Sequence, residues 1–206
     1  MEGFKTITNA VSKSVSALGF KKINQSAFAI KEGNNWGVIN FQKSQSNTKS
    51  EVRFTINLDI FSGAIRDFLE GEKVNSAPKT GGSHWNKRIG FLLPEKKDYW
   101  WTITDATNIA VLEKEITAMV SSIAVEEIKK NLSDANLINQ WKEAVSPGIT
   151  EFQRLQYLAI LMKFTGQPDY TDAANQLLAY SSGKSISMVA KGILQLLDSP
   201  NPFPQE

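Results

Sequence analysis

Within residues 51–61 apolar and polar side chains alternate through ten positions: Val52, Phe54, Ile56, Leu58 and Ile60 are apolar, while Glu51, Arg53, Thr55, Asn57 and Asp59 are polar. Successive side chains of a strand point to opposite faces, so a period of two describes a strand with one face in a core and the other turned away from it. A half-wet strand of this kind belongs to an antiparallel sheet. The rest of the fold has to be arranged around that sheet.

Neighbouring segments supply its partners. Short extended runs are predicted at 20–23, 26–30 and 36–43, with Glu32-Gly33-Asn34-Asn35 as a turn and the polar loop 44–50 closing a long hairpin onto the alternating strand. Ahead of them Phe4, Ile7, Val11, Val15 and Leu18 recur at helical spacing and Gly19 follows as a stop, which predicts an amphipathic N-terminal helix. Ser62 is positioned to cap a short helix through residue 69, and 70–83, with Pro78 and Gly81-Gly82, reads as an exposed loop. Residues 84–93 are read as helical, with His84 and Arg88 one turn apart and Pro94 ending the run, and 99–103 as a last strand.

From residue 105 the period changes. Ile109, Leu112, Ile116, Met119 and Ile123 step by three and four into a long helix to about residue 130, and a shorter helix carries Leu137, Ile138 and Trp141. After Pro147-Gly148, Thr150-Glu151-Phe152-Gln153 is a capping-box signature for a helix ending near Gly166. Helices are expected at about 171–182 and 185–198, then an extended tail with Pro200, Pro202 and Pro204. The expected architecture is α+β: an N-terminal helix on a four- or five-stranded, mainly antiparallel sheet, followed by a helical C-terminal half. Its expected division is an α+β domain over 1–146 and a three-helix extension with a Pro-rich tail over 147–206.

Composition removes several chemistries. The chain has no cysteine and one histidine, so disulfides, thiolate nucleophiles and Cys- or multi-His metal sites are excluded, and no calcium-loop pattern is present; neither a cofactor nor a metal is expected. Polar residues interrupt the apolar positions of the first 18 residues and no later run is long enough to span a bilayer, so a cytoplasmic protein without membrane contact is expected. Residues 1–104 carry 15 basic and 9 acidic side chains and residues 105–206 carry 8 and 12, which puts the halves at +6 and −4. Much of the positive excess falls in 73–97, where six basic residues accompany one acid, Glu95.

Three stretches carry a resemblance: Trp36-Gly37-Val38-Ile39-Asn40-Phe41-Gln42-Lys43-Ser44; Glu51-Val52-Arg53-Phe54-Thr55-Ile56-Asn57-Leu58; and His84-Trp85, Arg88-Ile89-Gly90, Leu93-Pro94 and Asp98-Tyr99-Trp100-Trp101 in that order. They resemble a bacterial family, the domain of unknown function family numbered 4304, over roughly residues 1–130. The resemblance implies a compact cytosolic α+β domain and no established activity. It does not extend to the helices after Pro147.

The candidate recognition residues are His84, Trp85, Arg88, Trp100, Trp101, Arg53, Lys96 and Lys97. Aromatic density laced with basic side chains reads either as a packed structural nucleus or as a recognition surface, and the parity of a strand sends one of the paired tryptophans outward. The polar face of the alternating strand is expected to be solvated, or to join His84 and Arg88 in a polar cluster where the two segments pair. Gly183-Lys184-Ser185 lacks the first glycine of a phosphate loop, since Leu178 holds that position, and Glu95-Lys96-Lys97 imitates a nuclease element but follows Pro94 in a charged turn. No catalytic set emerges. The expected function is a non-catalytic module that binds a protein partner; the alternative is RNA or single-stranded DNA binding through the basic aromatic region 73–101, and behind it an enzyme using His84 and Arg88.

Overall fold

A computed structural model describes residues 2–71, 73–79 and 81–200. The extended tail expected through Pro202 and Pro204 lies outside the described residues. The fold opens with α1 (Glu2–Ser16), whose Phe4, Ile7, Val11 and Val15 are buried, as the spacing predicts. Four strands follow as a meander: β1 (Lys21–Asn24), β2 (Ala27–Glu32), β3 (Asn35–Lys43) and β4 (Val52–Phe61). Helix α2 (Gly63–Glu70), strand β5 (Trp85–Arg88), a 3-10 turn (Ile89–Leu92) and strand β6 (Trp101–Ile103) complete the α+β part.

All pairings in the sheet are antiparallel, in the order β1-β2-β3-β4-β5, with β6 also on β4. The outer edge of β4 is shared: β5 pairs with its Asn57–Ile60 end and β6 with its Val52–Phe54 end. This makes six strands where the sequence suggests four or five.

Residues 84–93 correct the helical expectation. The four-residue spacing of His84 and Arg88 is compatible with a helix, but β4 offers an edge whose backbone groups need partners, and residues 85–88 satisfy them as a strand. Only the 3-10 turn from Ile89 to Leu92 remains helical, and Gly90 there packs where a Cβ would lie 2.3 Å from the Lys97 carbonyl oxygen.

One face of the sheet carries the core. Phe4 of α1 meets Phe41 and Phe54 edge-on, Phe54 stacks on Trp101 at 5.7 Å, and Ile56, Leu58, Ile60 and Trp85 are fully buried beside them. The long helix predicted to about residue 130 is α3 (Ile109–Met119), a π-helical turn (Val120–Ala124) and α4 (Val125–Asn131). It covers this face so closely that a Cβ on Gly37 would fall 2.4 Å from Ile128. Trp85 donates its indole N–H to Gln140 of α5 (Asp134–Lys142), so the sheet and α5 share a part-buried hydrogen bond.

Beyond Pro147 lie α6 (Glu151–Phe164), α7 (Tyr170–Ser181) and α8 (Ser187–Leu197). The capping box at Thr150 and Gln153 is formed on both sides. Leu155, Leu158 and Leu161 of α6, Leu177 of α7 and Leu197 of α8 belong to the same continuous apolar cluster as the sheet. Arg154, 5% exposed, takes both oxygens of Glu151 and also donates to the carbonyl of Trp141, fastening α6 to the end of α5. Gly183-Lys184-Ser185 is the turn between α7 and α8.

The expected cap of α2 is also corrected. Ser62 makes no side-chain cap; Asn35, across the sheet on β3, accepts the Gly63 N–H at 2.8 Å. The same Asn35 donates to the Leu132 carbonyl and to Asp134, both at 2.9 Å. One amide thus joins β3, the start of α2 and the turn between α4 and α5.

Candidate functional site

The other face of the sheet holds the candidate site. In the β3–β4 register Asn40 lies opposite Asn57 and Gln42 opposite Thr55; in the β4–β5 register Asn57 lies opposite Arg88 and Asp59 opposite Asn86. Cross-strand partners share a face, so these residues stand on the side away from the aromatic core. All of them but Thr55 floor a cavity of about 510 Å³.

Three further segments wall it. Gly81, Gly82 and Ser83 approach from the loop before β5, Gly148 and Ile149 from the turn after α5, and Gln153 from the first turn of α6. The Asn86 N–H donates to the Pro147 carbonyl at 3.1 Å, which runs the 147–149 turn along the free edge of β5. Gly148 is required there: its φ is +77°, and a Cβ would come within 2.6 Å of the Asn86 backbone oxygen.

From Thr55 to Asp59 the polar face of β4 is therefore not a solvated surface, while Arg53 on the same face stays exposed. Thr55, Asn57 and Asp59 are all buried. Thr55 donates to the Tyr99 carbonyl at 2.9 Å, because residues 99–100 cross over it on the way to β6, and Asn57 donates to Gln42 at 2.7 Å. Asp59 accepts from the Ser83 hydroxyl at 2.8 Å and from the Asn86 amide at 2.6 Å, both on Oδ1. Burial raises its pKa above the ordinary carboxylate value of 3.8, and the two hydrogen bonds only partly offset this.

Arg88 stands at the rim. Its guanidinium reaches Asp98 at 2.5 Å and lies 5.3 Å from the Trp100 ring, and the Trp100 indole donates to the same Asp98 oxygen at 3.1 Å. The sequence candidates Arg88 and Trp100 thus come together through Asp98. Trp100 is the half-buried member of the tryptophan pair; Trp101 and Trp85 lie in the core at 4% and 0% exposure. Lys96 and Lys97 sit in the exposed turn after the 3-10 segment, and Arg53 is exposed at the β6 end of β4. Two cations of the basic run are neutralised locally, Lys87 by Glu127 of α4 and Arg88 by Asp98.

His84 lies at the opposite end of β5 from Arg88, so the two are not a pair. It is 2% exposed, its ring packs against Tyr157 and Phe61, and its Nδ1 accepts the Ser62 N–H at 2.9 Å. Burial, with a smaller contribution from the charge on Arg66, lowers its pKa from 6.5 to about 3. The cation near His84 is therefore Arg66 on α2 and not Arg88. At neutral pH the imidazole is an uncharged hydrogen-bond acceptor for the backbone.

Sequence reasoning missed Asn40, Gln42, Ser83, Asn86 and the 148–153 wall. A usable signal was present in part, since Asn40 and Gln42 on β3 alternate with apolar Ile39 and Phe41 and match Asn57 and Thr55 on the neighbouring strand. Among the described residues no group of three or more acidic, His or Cys side chains forms a metal site. No described helix is long and apolar enough to cross a membrane.

The model of a family described as a domain of unknown function (DUF4304) matches residues 11–144. The chain belongs to the DUF4304 family. The match takes in the end of α1, the DUF4304 sheet, the aromatic segment 84–101 and the helices α2 to α5, and it ends just before the turn that walls the cleft. In this DUF4304 protein the floor of the cleft thus comes from the family domain, and Gly148, Ile149 and Gln153 come from beyond it. No curated protein and no solved structure matches the chain.

Proposed function

We propose that this DUF4304 protein is a non-catalytic binding module, and that the polar cleft on the open sheet face is where it receives a segment of a partner protein. The observation that carries this reading is the convergence of carboxamide, carboxylate and guanidinium side chains from three adjacent strands on one cavity, with Asn57 and Asp59 withdrawn almost entirely from water. Side chains fixed on paired strands are held in place before a ligand arrives, which lowers the ordering cost of binding. Asn and Gln present both a donor and an acceptor, as a peptide backbone does. Trp100, 5.3 Å from the Arg88 guanidinium, supplies aromatic contact area at the rim.

One feature weighs against catalysis and another against nucleic-acid binding. The single histidine is committed to the Ser62 N–H, and its pKa of about 3 is far from the range of a base working at neutral pH. Local ion pairs at Lys87 and Arg88 break up the basic run that a nucleic-acid site would need.

The test is a comparison of the wild-type chain with Gln42→Trp, which places a bulky ring at the mouth of the cleft on an exposed strand position. Proteins retained by the wild type and lost by Gln42→Trp, with the native circular dichroism spectrum kept although the Asn57 amide loses its acceptor, are the expected result. Identical retention by both chains would sink the reading. Retention that responds to nuclease treatment and to salt, and not to Gln42→Trp, would replace it with the nucleic-acid alternative.

A further inference from the structure

The cleft holds a carboxylate without a counter-charge. Five ion pairs occur among the described residues, and none involves Asp59. Asp59 is 4% exposed, and both of its hydrogen bonds fall on Oδ1, so Oδ2 is the oxygen left for the cavity it lines. The one cation in the lining, Arg88, is turned to Asp98 and Trp100. The other floor residues are neutral amides, whose carbonyl oxygens also accept hydrogen bonds.

Resting on the binding role proposed above, we infer that the cleft receives a cationic side chain of the partner, an arginine guanidinium or a lysine ammonium, against the Asp59 carboxylate. A carboxylate withdrawn from water without a counter-charge carries a penalty that an arriving cation relieves, and the pair then forms in a sheltered, charge-assisted geometry. Burial of Asp59 disfavours its charged form in the empty protein, and a bound cation reverses that bias. The occupant is an organic cation and not a hard divalent ion, because sites for calcium and magnesium draw on more than one carboxylate or on a phosphate, and this cavity has one carboxylate. Gly81 and Gly82 contribute no side chain at the wall, and a Cβ on either would meet nothing within 4 Å, so space for a long basic side chain exists on that side.

The experiment titrates the full chain with two blocked tripeptides, acetyl-Gly-Arg-Gly-amide and acetyl-Gly-Gln-Gly-amide, and follows the side-chain amide signals of Asn57 and Asn86 by NMR. The arginine peptide is expected to move both signals to saturation and to bind at least tenfold more tightly than the glutamine peptide. Asp59→Asn, which keeps an oxygen for Ser83 and Asn86, is expected to remove that tenfold preference. Equal binding of the two peptides at the cleft would overturn the cationic occupant and leave the cleft as a recognition site; so would an arginine affinity unchanged by Asp59→Asn. Absence of any shift from either peptide would also overturn it, whereas the Gln42→Trp comparison judges the binding role itself. The two-peptide comparison needs no substitution and stands even where Asp59→Asn fails to fold.

Discussion

The Nδ1 atom of His84 accepts the backbone N–H of Ser62 at 2.9 Å, linking the residue before β5 to the junction of β4 and α2. That bond needs an unprotonated Nδ1, so it couples the α2 junction to pH. The folded-state pKa of about 3 lies below the ordinary 6.5, so the histidine's contribution is fully present above pH 6.5 and is lost as pH falls toward 3. The expected slope from this one residue approaches about 1.4 kcal/mol per pH unit within that window. His84→Asn, whose amide oxygen replaces Nδ1 as acceptor, should flatten it; urea unfolding between pH 4 and pH 7, done for both proteins, measures the difference.

Asp59 works in the opposite direction. Its pKa is raised by burial, so the folded state favours the protonated acid, and stability declines as pH rises from 3.8 through the folded value. The two residues offset one another in the wild type. Asp59→Asn is expected to steepen the gain in stability on going from acid to neutral pH and to leave the protein no less stable than wild type at pH 7. A loss beyond about 1 kcal/mol at neutral pH would mean that the carboxylate is a net stabilising acceptor.

Asn35 joins three elements through one buried amide. Asn35→Ala leaves the Gly63 N–H, the Leu132 carbonyl and Asp134 without their partner. An expected cost of about 2–3 kcal/mol follows from stranding buried backbone groups. Amide hydrogen exchange should place the loosening at Gly63 and at the start of α5, and uniform exchange across the sheet would contradict this account.

Gly148→Ala tests the wall supplied from outside the family match. With φ at +77° and the Asn86 backbone 2.6 Å from the added carbon, the turn must move away from β5. A loss of about 1–3 kcal/mol is expected for the strained backbone and the weakened Asn86-to-Pro147 hydrogen bond. Peptide affinity at the cleft should fall with it, while the core fluorescence of Trp85 and Trp141 stays close to wild type.

Two local rules carried the sequence reading far. Period-two alternation at Val52–Phe61 identified the central strand, and three-four spacing identified α1 and the helices from residue 109 onward, because burial of one face is written in the order of residues along a single element. The capping box of α6 was equally readable, since Thr150 and Gln153 interact within one turn.

What the order of residues alone determined is therefore the set of elements, their buried faces and the exclusion of thiol chemistry. Tertiary structure decided what each polar residue meets. Residues 84–88 became a strand because β4 had an unpaired edge, Asp59 left the bulk solvent because Ser83 and Asn86 bond to it between walls formed by residues 81–83 and 148–149, and Asn35 capped a helix that begins 28 positions later. Each outcome depends on partners far apart in the chain, whose contribution exists only once the sheet has brought them within hydrogen-bonding distance, and no local periodicity encodes it.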